Sequence, residues 1–383
     1  MTTSVALPST RSVVRDSSLA LALLVIVAVF AWLAPSFLSA RNLSNLGVEF
    51  AITAVLALGV FLVLLPGQTD LATGSGVGLA GGAAAVLIMH HGWPAPLALG
   101  AAFVGIVVLW IAMGALIVRQ RLPAFIITLG GMLVFRGLHW MVIDKQTVPV
   151  QIGDQGNLLS ALTTWYLPTS LSWPLAAIVI AVLAWSARRD RAQRRSYGLT
   201  VETGDIAFAR WFIGAQLIVL LVVVLTQFHG IPLPILALGV VATGVQVVTR
   251  RTRFGRHLYA IGGNREASLL SGIRVDRAVI AAFAACGAIV ALTGFLQTAY
   301  AGGSTTTIGT LMELDAIAAC VIGGVSLAGG VGNVVGVLFG ALIMAALMNG
   351  MTLLAIEPEW KLIVRGGVLV LAVWMDTWGR QRR

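Results

Sequence analysis

The sequence predicts an all-α protein that crosses a membrane many times, with about 12 transmembrane helices. Of its 383 residues, 58% are hydrophobic and only 10% are charged, whereas a soluble domain carries about 25% charged residues. So few charges cannot cover a surface that faces water, so much of the surface must face lipid. The apolar runs are continuous and near the length of a membrane helix, unlike the short alternating segments of barrel strands. The whole chain, 1–383, is therefore predicted to form one transmembrane domain.

Successive apolar stretches along the chain are each predicted to form one crossing. A helix needs about 20 apolar residues to span the hydrocarbon core, and several of these stretches are shorter. A cleaved signal peptide is the weaker interpretation of the first stretch, because eleven further spans follow it. The predicted spans are 18–35, 43–65, 76–91, 96–118, 123–141, 172–187, 210–228, 232–248, 278–300, 313–328, 333–355 and 361–378.

The arginine clusters orient these spans. When the N-terminus, with Arg11 and Arg15, is placed in the cytoplasm and each span crosses once, every basic cluster falls on the same side, as the positive-inside rule expects. Both termini and the loops 188–209 and 249–277 are then cytoplasmic, and the loop 142–171 lies outside. The C-terminal cluster is Arg380, Arg382 and Arg383.

Two regions are predicted to interrupt helices, near 66–78 and 313–332. In the first, Pro66 and Gly67 end one helix, and Asp70, Thr73 or Ser75 can cap the next. The tetrapeptide LAGG occurs in both regions, at 79–82 and 327–330, which hints at a duplicated unit. Transporters built from repeats place interrupted helices along the substrate path. We therefore take Gln68, Thr69 and Asp70 as candidate pathway residues.

Charged residues within apolar runs are further candidates, because an ionised group in a membrane is costly and is usually paired or functional. For the acids, helix capping or a position at the interface is the main interpretation, and coupling to protons or sodium is the alternative. The isolated arginines are predicted to snorkel or to pair with an acid. The acids are Glu49, Asp70, Glu313, Asp315 and Asp376, and the arginines are Arg136 and Arg365.

Several function classes do not fit. The net charge of +10 lies in arginines spaced for membrane orientation, so we expect no nucleic-acid partner. The two lysines, Lys145 and Lys361, lie in no glycine-rich phosphate loop, so the chain does not bind ATP in the P-loop manner. The histidines and cysteines show no metal-ligand spacing, and no metal or cofactor is expected. The chain is therefore not predicted to be an enzyme.

The segment 250–277 is the longest basic stretch between spans, with seven arginines and two acids. Within it, Gly262, Gly263 and Asn264 are predicted to form a turn, and 265–273 a short helix that stops at Gly272. Such a helix could present Ala267, Leu270 and Ile273 to a groove on a cytosolic protein. A solvated loop that only orients the chain is the equal alternative.

Three stretches resemble the permease subunits of bacterial sugar ABC importers of the ribose, arabinose, galactose and xylose group. They are GRHLYAIGGNREASLLSGI (255–273), LPAFIITLGGMLVFRG (122–137) and ELDAIAACVIGGVSLAGGVG (313–332). The resemblance covers about 41–378. Ribose-type members have a core of about ten spans, and the two extra spans here, 172–187 and 210–228, are similar to those of xylose-type members.

The resemblance implies a permease of the bacterial inner membrane that takes up a monosaccharide, a pentose such as D-xylose. It implies three protein partners: a second permease subunit in a homodimer, a cytoplasmic ABC ATPase subunit and a periplasmic sugar-binding protein. The loop 142–171 is then periplasmic. The segment 255–273 matches the cytoplasmic coupling loop of importers, although Ser268 stands where that motif has alanine. The implied coupling residues are Gly262, Asn264, Glu266, Ala267, Ser268, Gly272 and Ile273.

Two other functions stay open on the sequence. A secondary sugar transporter driven by protons or sodium would use one of the buried acids and would not need ATP. A receptor or scaffold would give no flux at all.

Overall fold

The structure, a computed structural model, describes the backbone of residues 10–153, 155–199, 201 and 204–381. Within these ranges it describes the side chains of 19–374, except residue 210, and of residue 377. The arginines at 11, 15, 380, 382 and 383 and the carboxylate of Asp376 lie outside the described side chains. In the described part of the chain, eight helices are long and apolar enough to cross a membrane. The structure is thus that of a helical polytopic membrane protein, as predicted.

The helices follow the predicted spans closely. The helix α3 has 17 residues and α13 has 11, so both are short for a bilayer. A 3-10 helix, Pro35–Leu38, precedes α2. The helices are α1 Thr10–Leu33, α2 Ala40–Leu64, α3 Thr73–Met89, α4 Ala95–Arg119, α5 Ala124–Val142, α6 Leu158–Thr164, α7 Thr169–Ser196, α8 Gly204–Thr226, α9 Leu233–Arg251, α10 Arg253–Gly263, α11 Arg265–Leu270, α12 Val275–Tyr300, α13 Met312–Ile322, α14 Val334–Leu353 and α15 Pro358–Gln381.

The core forms around α2, α12 and α14. The most apolar stretch of α2 is 78% buried within the protein, whereas that of α7 is 11% buried. The helices α7 and α8 pack on each other, and the Trp211 indole donates to the Ile180 carbonyl at 3.3 Å. They touch the core through a small cluster that includes Ala176 and Leu225. The two extra spans of the sequence are thus a peripheral hairpin on the bundle.

Four short strands show which connections meet at one end of the bundle. The strand β1 (Val148–Pro149) pairs with β4 (Gly303–Ser304), and β2 (Tyr166–Leu167) pairs with β3 (Ile231–Pro232), both antiparallel. We call this the sheet end. At the opposite end, an Arg251 Nη2 lies 3.5 Å from Asp190 Oδ1, so α7 and α9 finish together. We call this the arginine end.

The packing of helices repeats within the chain. The helix α2 packs on α14 as α12 packs on α4, and α3 packs on α5 as α13 packs on α15. Each set of four begins with a break after its first helix, at 65–72 and at 301–311. The shared LAGG tetrapeptides do not mark equivalent positions in this repeat. Residues 79–82 lie inside α3, and 327–330 lie in the turn after α13.

Three local expectations are corrected. The segment 188–209 is mostly helical, because α7 runs to Ser196 and α8 begins at Gly204. Gly262 and Gly263 are the last residues of a helix, α10, that the sequence did not predict. The residue before α3 is Ala72, without a side-chain cap, and Asp70 instead accepts a hydrogen bond from the Ala72 amide.

Candidate functional site

Two short helices at the arginine end, α10 and α11, carry the predicted coupling residues. The Thr252 hydroxyl accepts a hydrogen bond from the Gly255 amide and caps α10. Asn264 ends α10 and begins α11, where its side chain accepts a hydrogen bond from the Ala267 amide at 2.9 Å. The Ser268 hydroxyl donates to the Asn264 carbonyl at 2.8 Å. The hydroxyl therefore stabilises this junction, which an alanine at 268 would not do.

The helix α11 presents its other face outward. Glu266, Ala267 and Leu269 are exposed, and the Leu270 side chain is 91% exposed. Gly272 follows with φ +79°, and Ile273 is half-buried. The Leu270 side chain therefore lies outside the core. Ala267 and Leu270 thus lie as predicted, while Ile273 partly joins the core.

The helix α10 is seated on the break at 65–72 and on the turn between α13 and α14. Gly262 lies against the Leu65 carbonyl and the Gly330 amide, and a Cβ at 262 would collide with both. The Gly330 amide in turn donates to the Leu65 carbonyl at 2.9 Å. Leu65 directly follows α2, and Gly330 lies in the turn between α13 and α14. We call this contact of 65, 262 and 330 the glycine junction.

A second contact ties α10 to the same turn. The Tyr259 hydroxyl donates to the Gly332 carbonyl at 2.9 Å. Burial raises the pKa of Tyr259 above its ordinary value, with Arg250 opposing the shift, so the hydroxyl stays protonated at neutral pH and can donate. On the inner face, Leu258 and Ile261 are buried. A displacement of α10 must therefore also displace the turn 326–332.

The break at 65–72 is built around Asp70, which is fully buried. One carboxylate oxygen accepts from the Ala72 amide at 2.8 Å, and the other from the Trp110 indole at 2.7 Å. The carboxylate thus holds the break in place. Gln68 and Thr69 are half-buried. Gln68, Thr69 and Asp70 lie within a few residues of Leu65, which is part of the glycine junction. Gln68 and Thr69 are partly exposed, whereas Asp70 is not.

Near the sheet end, Arg365 forms a mostly buried ion pair. Its Nε lies 2.6 Å from an oxygen of Asp315, and both side chains are mostly buried. Beside them Glu49 accepts hydrogen bonds from Tyr300 at 3.0 Å and from Asn349 at 3.1 Å. These groups line a cavity of about 210 Å³. Arg365 and Asp315 form an ion pair and Glu49 accepts two hydrogen bonds, which fits a structural role and confirms that Arg365 pairs with an acid.

A smaller cavity, of about 100 Å³, lies between α3, α5 and the segment 304–313. Arg136 and Glu313 line it with opposite charges, together with Ser75, His139, Thr306 and Thr310. The Arg136 guanidinium donates to the Thr310 hydroxyl at 3.0 Å. Among the described residues, no carboxylate lies within ion-pair distance of Arg136. The predicted pairing of Arg136 with an acid is thus not found in the described residues.

Sequence reasoning missed several parts of these sites. The segment 304–311 contains only small, polar and aliphatic residues and has no motif, so its position over α5 was not predicted. His139 and Trp110 each lie in apolar spans and carry no spacing signal. The described residues contain no group of three His, Cys, Asp or Glu side chains placed to hold a metal ion. Cys286 and Cys320 are free and buried.

Interrupted helices within a membrane bundle are features of membrane transport proteins. A family profile described as "Branched-chain amino acid transport system / permease component" matches residues 42–373. The chain belongs to this family of permease components.

Curated relatives match along almost the whole chain. The xylose transport system permease protein XylH of Escherichia coli (strain K12) is 39% identical over 363 residues, 94% of this chain and 91% of that protein. The ribose import permease protein RbsC of the same strain is 31% identical over 373 residues, 96% of this chain and 95% of the relative. Its galactose/methyl galactoside import permease protein MglC is 29% identical over 374 residues, covering 95% and 94%. No solved structure matches the chain.

Proposed function

We propose that this protein is the permease subunit of an ATP-binding cassette importer that carries a pentose, D-xylose, across the bacterial inner membrane. The identity of 39% to a xylose permease over 94% of the chain supports this substrate most strongly. Identity to the ribose and galactose permeases is lower over the same length. The family description names amino acid transport, but these full-length relatives are all permeases for sugars.

ATP hydrolysis belongs to a separate ATPase subunit. Lys145 lies in the turn after α5, and the Lys361 amine donates to the Thr352 hydroxyl at 3.1 Å. Neither lysine follows a glycine-rich loop between a strand and a helix, which is the setting that binds ATP phosphates. The permease therefore needs an external source of energy.

The chain crosses the membrane twelve times with both termini in the cytoplasm. In this topology α3 and α13 complete their crossings with the breaks beside them, and the arginine end faces the cytoplasm. The sheet end then faces the periplasm, where a sugar-binding protein docks. Two copies of the chain line the path together as a homodimer.

The α10–α11 segment transmits the motion of the ATPase. The exposed face of α11, with Glu266, Ala267 and Leu270, docks on the ATPase, while Asn264, Ser268, Gly272 and Ile273 position it. Since Gly262 touches both Leu65 and Gly330, closure of the ATPase dimer would move the break at 65–72 and the turn after α13 at once. Gln68 and Thr69 lie three and four residues after Leu65, so the sugar path would open or close at these residues. Asp70 holds the break that carries them.

Uptake into proteoliposomes that contain the permease, the ATPase and the binding protein tests this function. We expect D-xylose uptake to require ATP and the binding protein, to resist an uncoupler, and to exceed that of ribose, arabinose and galactose. Uptake that continues without ATP and collapses with an uncoupler would establish an ion-coupled carrier instead. Absence of flux with every sugar would leave a receptor or scaffold.

A further inference from the structure

The cavity that Arg136 and Glu313 line contains an arginine and a glutamate that form no ion pair with each other. The Glu313 side chain is only 6% exposed, and no other described residue donates a hydrogen bond to its carboxylate. Its carboxylate lies against Gly74, where a Cβ would collide with it. Arg136 uses one of its five N–H donors, toward Thr310. Ionised groups inside a membrane bundle are costly, and those left without protein partners indicate a functional site.

The walls of this cavity are held in place by α5. The His139 ring lies 3.0 Å from the Ser304 hydroxyl, and the Trp140 indole donates to the Thr306 carbonyl at 3.1 Å. Together with Arg136 and Thr310, these contacts fix the segment 304–310 over the end of α5. The cavity volume of about 100 Å³ is several times the 10–15 Å³ that one water requires. The cavity is therefore preformed and has room for a small polar ligand.

We propose that this cavity is a low-affinity binding site for a neutral monosaccharide on its way through the permease. Sugar hydroxyls both donate and accept, so they match a guanidinium donor, a carboxylate acceptor and the hydroxyls of Ser75 and Thr306. Hydrogen bonds to ionised groups are the stronger kind. The side chains of Met132 and Ile308 offer apolar contact to the sugar carbons. The guanidinium of Arg136 donates and the carboxyl group of Glu313 accepts, which suits an uncharged ligand whose hydroxyls do both.

This inference rests on the proposed sugar import. It places one sugar-binding site of the path near the sheet end. The cavity beside Arg365 does not offer the same site. There the ion pair with Asp315 occupies the guanidinium. A ligand would have to break that pair to bind.

Protection of a single cysteine tests the site in the reconstituted complex. Cys286 and Cys320 are fully buried, so a Thr306→Cys variant has one accessible thiol within the cavity. We expect D-xylose to slow alkylation of this thiol at least about threefold once its concentration exceeds twice the dissociation constant. Adding Arg136→Met should weaken protection about tenfold in sugar concentration, the effect of one lost charge-assisted hydrogen bond. Adding Arg189→Met, at the other end of the bundle, should leave protection unchanged.

Further controls distinguish the possible outcomes. A Leu199→Cys thiol at the arginine end should be alkylated equally with and without sugar, and sucrose at the same concentration should protect neither thiol. Equal alkylation at 306 with and without D-xylose, in both the nucleotide-free and the ATP-bound complex, would overturn the site, and so would protection by L-leucine but not by D-xylose. Stimulation of ATP hydrolysis by the sugar-loaded binding protein is measured in the same preparation. If stimulation is present without protection, only the site fails. If stimulation is absent, the proposed importer fails.

Discussion

Two arginines, Arg136 on α5 and Arg365 on α15, both contact the chain near the start of α13, but their partners differ. Arg365 closes on Asp315 at 2.6 Å, and this pair is mostly withdrawn from solvent. Arg136 reaches only a threonine hydroxyl, and among the described residues no other residue donates a hydrogen bond to the nearby Glu313 carboxylate. An arginine and an acid thus form a structural ion pair where they touch, at 365 and 315. Where they do not touch, at 136 and 313, they line a polar cavity.

The largest effect is expected at the closed pair. Arg365→Met leaves the Asp315 carboxylate buried without its counter-ion, and removal of one partner of a buried ion pair typically costs about 3–5 kcal/mol. We expect a marked fall in the thermal unfolding midpoint of the purified permease in detergent. Replacing both partners, with Asp315→Leu and Arg365→Met, should restore most of the loss. If the double variant is as unstable as the single one, the loss of stability does not come from breaking the ion pair.

The second prediction distinguishes a role of Arg136 in transport from a role in stability. Arg136→Met removes one hydrogen bond and no ion pair, so the free energy of unfolding should change by no more than about 1 kcal/mol. Uptake of D-xylose, however, should fall about tenfold, because the sugar loses a charged donor. The unfolding midpoint and initial uptake rates of the same preparation measure the two. A large loss of stability with normal uptake would make Arg136 a structural residue like Arg365.

The smallest effect is expected at Thr310. Thr310→Val keeps the shape of the side chain but removes the hydroxyl that accepts from Arg136. The guanidinium then turns freely into the cavity, so stability should change by less than about 1 kcal/mol. Uptake should fall no more than about threefold. A loss as large as that of Arg136→Met would show that orientation of the arginine, rather than its charge, governs transport.

Much of the fold could be predicted from the sequence because lipid imposes long apolar helices. The runs 43–65, 96–118 and 278–300 correspond to α2, α4 and α12 within a few residues. The break after α2 was predicted, because Pro66 interrupts helical geometry, and the glycines at 323–332 lie in the turn after α13. The break at 301–311 falls outside the predicted interruption 313–332, of which 313–322 is helical. The helix α10 was not predicted, since Gly255, Gly262 and Gly263 suggest a loop. Tertiary contacts override that local preference, because only glycine at 262 permits the approach to Leu65.

The sites were less predictable, because they depend on which turns meet. Charge in an apolar run pointed to Arg136, Arg365, Glu313 and Asp315, yet the sequence could not assign a partner to either arginine. That assignment depends on how 304–313 folds over α5, a segment without charge or motif. Asp70 was predicted to line a pathway, whereas the indole of Trp110, 40 residues away, occupies its carboxylate.

The central claim is that the α10–α11 segment transmits the work of an ATPase through the glycine junction, and two neighbouring glycines test it most directly. A Cβ at 262 would collide with the Leu65 carbonyl and the Gly330 amide, whereas a Cβ at 263 meets nothing within 4 Å. Uptake of D-xylose by the reconstituted complex is measured for Gly262→Ala and Gly263→Ala, with co-purification of the ATPase as a check on assembly. We predict that Gly262→Ala keeps the ATPase but loses most of its uptake, while Gly263→Ala transports normally. Equal uptake by the two variants, with the ATPase bound in both, would contradict transmission through this junction.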